Sequence, residues 1–157
     1  MTRPSASEQY MLELINAERA AVGAEPLIFD DHLQESTEAH SRWMIASDVF
    51  AHKGVKGSSP AERMEDAGYR LTGTWASGEN IAWVSLRSPE GYRDEVRLLH
   101  KNLMNSPSHR ENILNPDFQE IGIGIKTGNM QGWDAAVVTQ NFGLSSAPST
   151  PPADWLI

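Results

Sequence analysis

The sequence predicts an α+β domain, because it carries several helix-start signals and also strand patterns, the last two of which follow each other as a hairpin. Serine-proline pairs and capping residues mark the helix starts, whereas Ile121, Ile123 and Ile125 alternate with small residues as in a strand. The chain has 157 residues, enough for one core that needs no disulfide or metal to fold. One compact domain is therefore expected.

Two helices are predicted before residue 50. Ser5 and Glu8 form a capping box, and helical spacing of apolar residues follows until Gly23 ends it. Residues 27–29 are short and extended, and Asp30 then caps a second helix. One face of that helix carries Leu33, Thr37, His40 and Met44.

Three further helices are predicted at serine-proline pairs. The serine hydroxyl caps a helix, and the proline ring fixes a helical φ where no N–H is needed. The pairs are Ser59-Pro60, Ser88-Pro89 and Ser106-Pro107. Glu62 completes a capping box for the first of these helices, and the second carries the apolar residues Val96, Leu99 and Leu103.

Three strands are predicted in the segments GENIAWVSL, EIGIGIK and WDAAVVTQNFG. The last two flank the turn TGNMQG, so we expect an antiparallel hairpin at the centre of the sheet. Gly122 and Gly124 leave one face of their strand without side chains, which suits close approach of another element. Residues 1–143 should form the domain and the Ser/Pro-rich residues 144–157 a tail or linker, in which residues 144 to about 153 should lack regular structure.

Composition excludes several function classes. The net charge of −8 argues against a nucleic-acid partner, and the absence of cysteine removes thiolate zinc sites, iron–sulfur clusters and thiol nucleophiles. No apolar run is long enough to span a membrane, and Glu8 and Glu13 interrupt the only candidate for a signal-peptide core. Without a Walker loop, an HExxH helix or a nucleophile elbow, nucleotide-binding, zincin and serine-hydrolase interpretations lose support.

Five short motifs carry a resemblance to a known family. They are FAH at 50–52, GENIAW at 78–83, NSPSHRENIL at 105–114, EIGIG at 120–124 and TQNFG at 139–143. In this order they resemble the CAP superfamily of cysteine-rich secretory proteins, antigen five and plant pathogenesis-related proteins, and specifically its cysteine-free bacterial branch. The resemblance runs from about Glu8 to Gly143. It implies an α/β/α sandwich with a small antiparallel sheet between helical layers.

The resemblance also implies a surface cleft lined by two histidines and usually two glutamates. His52 and His109 resemble the two histidines, and Glu79 resembles the first glutamate. The second glutamate has no clean counterpart, because the nearest register offers a leucine. Whether Glu95, His100 or nothing takes its place stays open.

The chemistry of such a cleft indicates a divalent cation, and zinc is the first candidate. Two neutral imidazoles bind zinc-like ions, but tight tetrahedral binding usually needs a third protein ligand and a water. Glu79 is then either that third ligand or a general base that takes a proton from metal-bound water.

Two functions follow, and the first is favoured. The domain is an exported binding module, extracellular or periplasmic, whose cleft holds a cation and which engages a small-molecule, lipid, cell-envelope or protein ligand. The alternative is a metal-assisted hydrolase of peptide bonds, with His52 and His109 as ligands and Glu79 as base. The module is favoured because the sequence shows no nucleophile, no recognisable oxyanion hole and no second glutamate.

We interpret other polar residues near the motifs as structural rather than functional. His40 and His100 lie on apolar helix faces, which predicts core histidines with one hydrogen-bonded nitrogen. Asn80, Asn112 and Asn141 are interpreted as turn and cap residues, although an asparagine beside a cleft can also orient a ligand.

Overall fold

The computed structural model describes residues 3–87 and 92–145. This part of the chain contains both helices and strands, as the α+β prediction requires. The helices are α1 Ala6–Ala21, α2 Asp31–Ser47, α3 Pro60–Asp66, α4 Arg93–Met104 and α5 Pro107–Leu114, with a 3-10 turn at Val55–Gly57. The strands are β1 Ile28–Phe29, β2 Ala76–Ser85, β3 Glu120–Met130 and β4 Trp133–Leu144.

The predicted helix caps are confirmed for three helices. Ser5 with Glu8 and Ser59 with Glu62 form complete capping boxes, and the Asp30 side chain accepts from the Leu33 amide. For α5 the predicted start at Ser106-Pro107 is confirmed, but the expected cap is not, because the Ser106 hydroxyl makes no capping bond. The pair at 88–89 lies outside the described residues, and α4 begins at Arg93.

The four strands form one sheet in the order β1-β3-β4-β2. The hairpin of β3 and β4 is antiparallel and central, as predicted, and β2 joins β4 antiparallel. The expected antiparallel sheet is thus confirmed for β2, β3 and β4, whereas β1 pairs in parallel with β3 and makes the sheet mixed. Strand β4 also runs one residue past the predicted domain end, and residues 146–157 of the predicted tail lie outside the described residues.

Helices cover both faces of the sheet, which makes the fold an α/β/α sandwich. On one face, Met11 and Ile15 of α1 and Leu99 of α4 pack against apolar side chains of β3 and β4. On the other face, Met44 of α2 packs against Val137. Within the described residues, no helix is long and apolar enough to cross a membrane.

The close approach predicted at Gly122 and Gly124 is made by α2. A Cβ on Gly122 would lie 2.2 Å from the Leu33 carbonyl, and a Cβ on Gly124 would lie 2.4 Å from the Thr37 carbonyl. The Ser41 hydroxyl also donates to the Gly124 carbonyl over 2.7 Å. This contact fixes α2 on the sheet, and the loop that follows α2 carries His52.

Candidate functional site

His52 and Glu79, 27 residues apart in sequence, meet in the structure. The His52 Nδ1 atom lies 2.9 Å from Glu79 Oε1. Glu79 lies on β2, on the sheet face that α2 covers, and its side chain is only 1% exposed, whereas the His52 side chain is 52% exposed. The pair therefore joins a buried carboxylate to an imidazole that reaches solvent.

Two other side chains hold the second oxygen of Glu79. Arg63 Nη2 donates to Glu79 Oε2 over 2.7 Å, and Asn141 Nδ2 donates to the same oxygen over 2.8 Å. The Arg63 Nη1 atom also donates to the carbonyls of His52, at 2.7 Å, and Ser58, at 2.9 Å. Arg63, a residue of α3, therefore binds both the Glu79 carboxylate and the loop that carries His52.

Arg63 is a site residue that the sequence analysis missed, and Asn141 is one that it interpreted mainly as a turn or cap residue. The interpretation of Asn141 as a turn or cap residue is wrong, because it lies in β4 directly opposite Glu79, and its Oδ1 accepts from the Ser36 hydroxyl at 2.9 Å. In the sequence there is only a weak indication that Arg63 is buried, namely its position beside the apolar Met64 in a short helix. A cross-strand partner can be recognised only when the register is known.

The electrostatic surroundings keep Glu79 ionised. Burial acts to raise its pKa, but the hydrogen bond from His52 and the positive charge of Arg63 outweigh burial, so the pKa of Glu79 lies below its ordinary value. An ionised carboxylate accepts hydrogen bonds only, so His52 Nδ1 carries the proton that bridges to Oε1. The remaining nitrogen of His52, Nε2, then holds the free lone pair.

The main chain at His109 is fixed by hydrogen bonds between α5 and β2. The Asn80 amide donates to the His109 carbonyl over 3.1 Å, and Asn112 in turn donates to Asn80 Oδ1 over 2.9 Å. Burial lowers the pKa of His109, and the nearby charge of His52 lowers it further. The interpretation of Asn80 and Asn112 as turn and cap residues is wrong, since they lie in β2 and α5 and link them.

The structure does not make Glu79 a third metal ligand. Both its oxygens are engaged by Arg63, Asn141 and His52, and the described residues contain no group of three or more His, Asp or Glu side chains arranged to hold an ion. Glu79 is therefore placed to orient His52 and not to ligate an ion directly.

Neither candidate for the second glutamate contacts this site. Glu95 Oε2 accepts from the Arg87 amide at 2.8 Å, and His100 Nε2 lies 3.2 Å from Glu18 Oε2. Both are buried on α4, and His100 links that helix to α1. His100 and His40, whose Nε2 lies 2.8 Å from the Ala51 carbonyl, are buried as the prediction of core histidines requires.

A protein-family model matches most of the chain. The model of the cysteine-rich secretory protein family, CAP, matches residues 12–142. The chain belongs to this family. Without cysteines, this CAP domain is consistent with the bacterial branch to which its motifs point.

Two Bacillus subtilis proteins are similar to this CAP domain in sequence. Uncharacterized protein YkwD is 39% identical over 127 residues, which cover 80% of this chain and 45% of YkwD. Uncharacterized membrane protein YlbC is 29% identical over 136 residues, which cover 87% of this chain and 34% of YlbC. The chain therefore spans less than half the length of these relatives.

Solved structures of CAP and SCP proteins share the fold. An outer surface protein from Borrelia burgdorferi superposes with a TM-score of 0.71 at 19% identity, covering 92% of this chain and 97% of that protein. An extracellular SCP-domain protein from Bacillus anthracis gives 0.65 at 22% identity, covering 90% and 44%. NaASP2 solved with Zn²⁺ gives 0.61 at 14% identity, covering 88% and 80%.

Proposed function

We propose that this CAP domain is an exported binding module whose cleft is centred on His52, His109 and Glu79. The observation that carries the proposal is the buried Glu79 carboxylate, which orients an exposed imidazole instead of facing solvent itself. The similarity to an extracellular and an outer-surface protein supports a location outside the cytoplasm. The ligand is a lipid, a cell-envelope component or a protein.

The cation in this proposal is bound weakly by His52 Nε2 and by the imidazole of His109. A bound zinc ion would act as a Lewis acid and as an anchor for an oxygen of the ligand. Glu79 holds the proton on His52 Nδ1, so that Nε2 keeps its lone pair for coordination. Two protein ligands are fewer than structural zinc sites use, and the buried charge of Arg63 adds repulsion, so the affinity should be modest.

The hydrolase alternative receives less support from this geometry. A general base needs a lone pair facing the water that it activates and a pKa close to the working pH. Glu79 is 1% exposed, has three hydrogen-bonding partners and has a lowered pKa. We therefore assign Glu79 a positioning role in the proposed cleft.

Calorimetric titration with zinc tests the cation part of this proposal. We expect one weak site in the unmodified chain, and loss of most of the binding heat in both His52→Ala and His109→Ala. His32→Ala is the matched control, because His32 is an exposed histidine whose Nδ1 lies 2.9 Å from the Ala67 carbonyl, away from the cleft. Equal binding by all three variants would contradict a cation shared by His52 and His109.

A further inference from the structure

His40 is a buried histidine of α2 that contacts the loop carrying His52. It is 1% exposed, and its Nε2 atom lies 2.8 Å from the carbonyl oxygen of Ala51, the residue directly before His52. A carbonyl oxygen only accepts hydrogen bonds, so Nε2 carries the ring proton and is the donor. The other ring nitrogen, Nδ1, is buried and has no hydrogen-bond partner within the described residues. The one N–H of the neutral ring is therefore used by the main chain beside His52.

Two side chains hold the peptide groups on either side of His52. His40 donates to the Ala51 carbonyl, and Arg63 Nη1 donates to the His52 carbonyl over 2.7 Å. Each peptide group is planar, so bonds to two consecutive carbonyls fix the two planes that meet at the Cα atom of His52. The direction of its Cα–Cβ bond is then fixed as well. The exposed imidazole of His52 is thus attached to a main chain that buried donors hold in place.

The His40 ring is itself held by its packing. It stacks on the Trp43 ring, with centroids 5.6 Å apart and an angle of 14° between the planes. A Cβ on Gly54 would lie 3.0 Å from His40 Cε1 and Nδ1 and 2.9 Å from Arg63 Nη1. The loop main chain therefore packs directly against both donor side chains. A different rotamer of His40 would have to displace these neighbours, so its N–H stays directed at Ala51.

The surroundings also favour a neutral donor at this position. Burial lowers the pKa of His40, and the positive charge of Arg63 lowers it further, although Glu79 acts in the opposite direction. A neutral imidazole supplies an N–H without adding a second buried cation beside Arg63. A lysine or an arginine in place of His40 would add that charge.

We propose that His40 is a positioning residue for His52, which holds the Ala51 carbonyl so that the His52 imidazole meets Glu79. His40 contacts neither the cation nor the ligand of the cleft, because its Nε2 is used by Ala51 and its Nδ1 is buried. Whereas His40 fixes the main chain, Glu79 fixes the ring through Nδ1, and the two constraints together leave His52 Nε2 for coordination. The inference rests on the proposed function in that His52 is taken as a cation ligand.

The test compares two substitutions that place an amide at different distances from Ala51. The longer side chain in His40→Gln can bring its amide to the place of Nε2 and donate to Ala51, whereas the side chain in His40→Asn reaches only the place of Nδ1. Long-range ¹H–¹⁵N spectra of the full, metal-free chain report the histidine tautomers. We expect a protonated Nδ1 on His52 in the unmodified chain and in His40→Gln, and a tautomer mixture at His52 in His40→Asn. Zinc affinity should fall about tenfold in His40→Asn and recover in His40→Gln.

His100→Asn is the matched control. His100 is also a buried histidine whose Nε2 has a partner, Glu18, and whose Nδ1 has none in the part of the chain that the structure describes, but it lies on α4. This variant should lose stability and leave the His52 tautomer unchanged. The same change at His52 in His100→Asn would mean general loosening of the fold and would overturn the proposal. An unchanged His52 tautomer in a folded His40→Asn chain would overturn it too.

The unmodified chain alone can also contradict the proposal. A proton on Nδ1 of His40 would leave no donor for Ala51 and would overturn the positioning role, whether or not the variants fold. The tautomers are read without zinc, so they separate the two proposals. Absence of zinc binding by the unmodified chain would contradict the cation cleft, while the tautomers of His40 and His52 would still decide the role of His40.

Discussion

Replacement of Glu8 by glutamine should change how the stability of this domain depends on pH. Glu8 is 1% exposed and lies beneath α2, where the Gln34 amide donates to Glu8 Oε1 over 3.2 Å and also to Glu38 Oε1 over 3.0 Å. Lys126 pairs with Glu38, and the Ile125 amide donates to Glu8 Oε2. Burial, followed by the hydrogen bonding with Glu38, raises the pKa of Glu8 from 4.5 to about 7.

The sign of the effect follows from proton binding. Between pH 4.5 and about 7 the folded state retains a proton on Glu8 that the unfolded state has released. The free energy of unfolding contributed by Glu8 is therefore largest below pH 4.5 and falls as the pH rises through 7. Each pH unit is worth about 1.4 kcal/mol, so the fall amounts to about 3 kcal/mol across this window.

Urea unfolding of the unmodified chain and of Glu8→Gln at several values from pH 5 to 8 measures this contribution. His40, His100 and His109 have pKa values that burial lowers, so their contribution to stability rises with pH and opposes that of Glu8. Those histidines are present in both chains and cancel in the difference. The stability advantage of the unmodified chain should shrink as the pH rises. An advantage that is constant across this range would refute a proton held by buried Glu8.

Three further substitutions test the packing around the sheet and the site. Gly124→Ala should destabilise the fold by about 3 kcal/mol in urea unfolding, because its Cβ would meet the Thr37 carbonyl at 2.4 Å; an unchanged midpoint would contradict that close contact. Val137→Asp buries an unpaired charge in a fully buried site and should abolish cooperative thermal unfolding, so a soluble, folded variant would be evidence against the central position of β4. Arg63→Met leaves Glu79 buried without its cation and should cost about 3–5 kcal/mol by urea unfolding, and a neutral effect would show that Glu79 does not depend on Arg63.

Local features of the fold could be predicted from sequence because each depends on a few adjacent residues. Ser5 with Glu8 caps α1 through contacts three residues apart, and the alternation of glycine with isoleucine in β3 marks the face on which α2 lies. The parallel pairing of β1 could not be predicted, since two residues carry no register signal.

The candidate site was predictable only in part, for a physical reason. His52, Glu79 and His109 were identified from their motifs, and the structure brings His52 and Glu79 into direct contact. The partners of the buried carboxylate, Arg63 and Asn141, come from a different helix and from the opposite strand. Their roles depend on tertiary packing and strand register, which no local pattern encodes. The same packing supports the proposal that Glu79 orients His52.

The tautomer of His52 tests this positioning role most directly. Because ionised Glu79 can only accept a hydrogen bond, neutral His52 should carry its proton on Nδ1 and leave Nε2 unprotonated. Long-range ¹H–¹⁵N correlation spectra of the imidazole, recorded at a pH where His52 is neutral, distinguish the two nitrogens. The account predicts a protonated Nδ1 that becomes a tautomer mixture in Glu79→Ala. A proton on Nε2 in the unmodified chain, or a tautomer that does not respond to loss of Glu79, would contradict it.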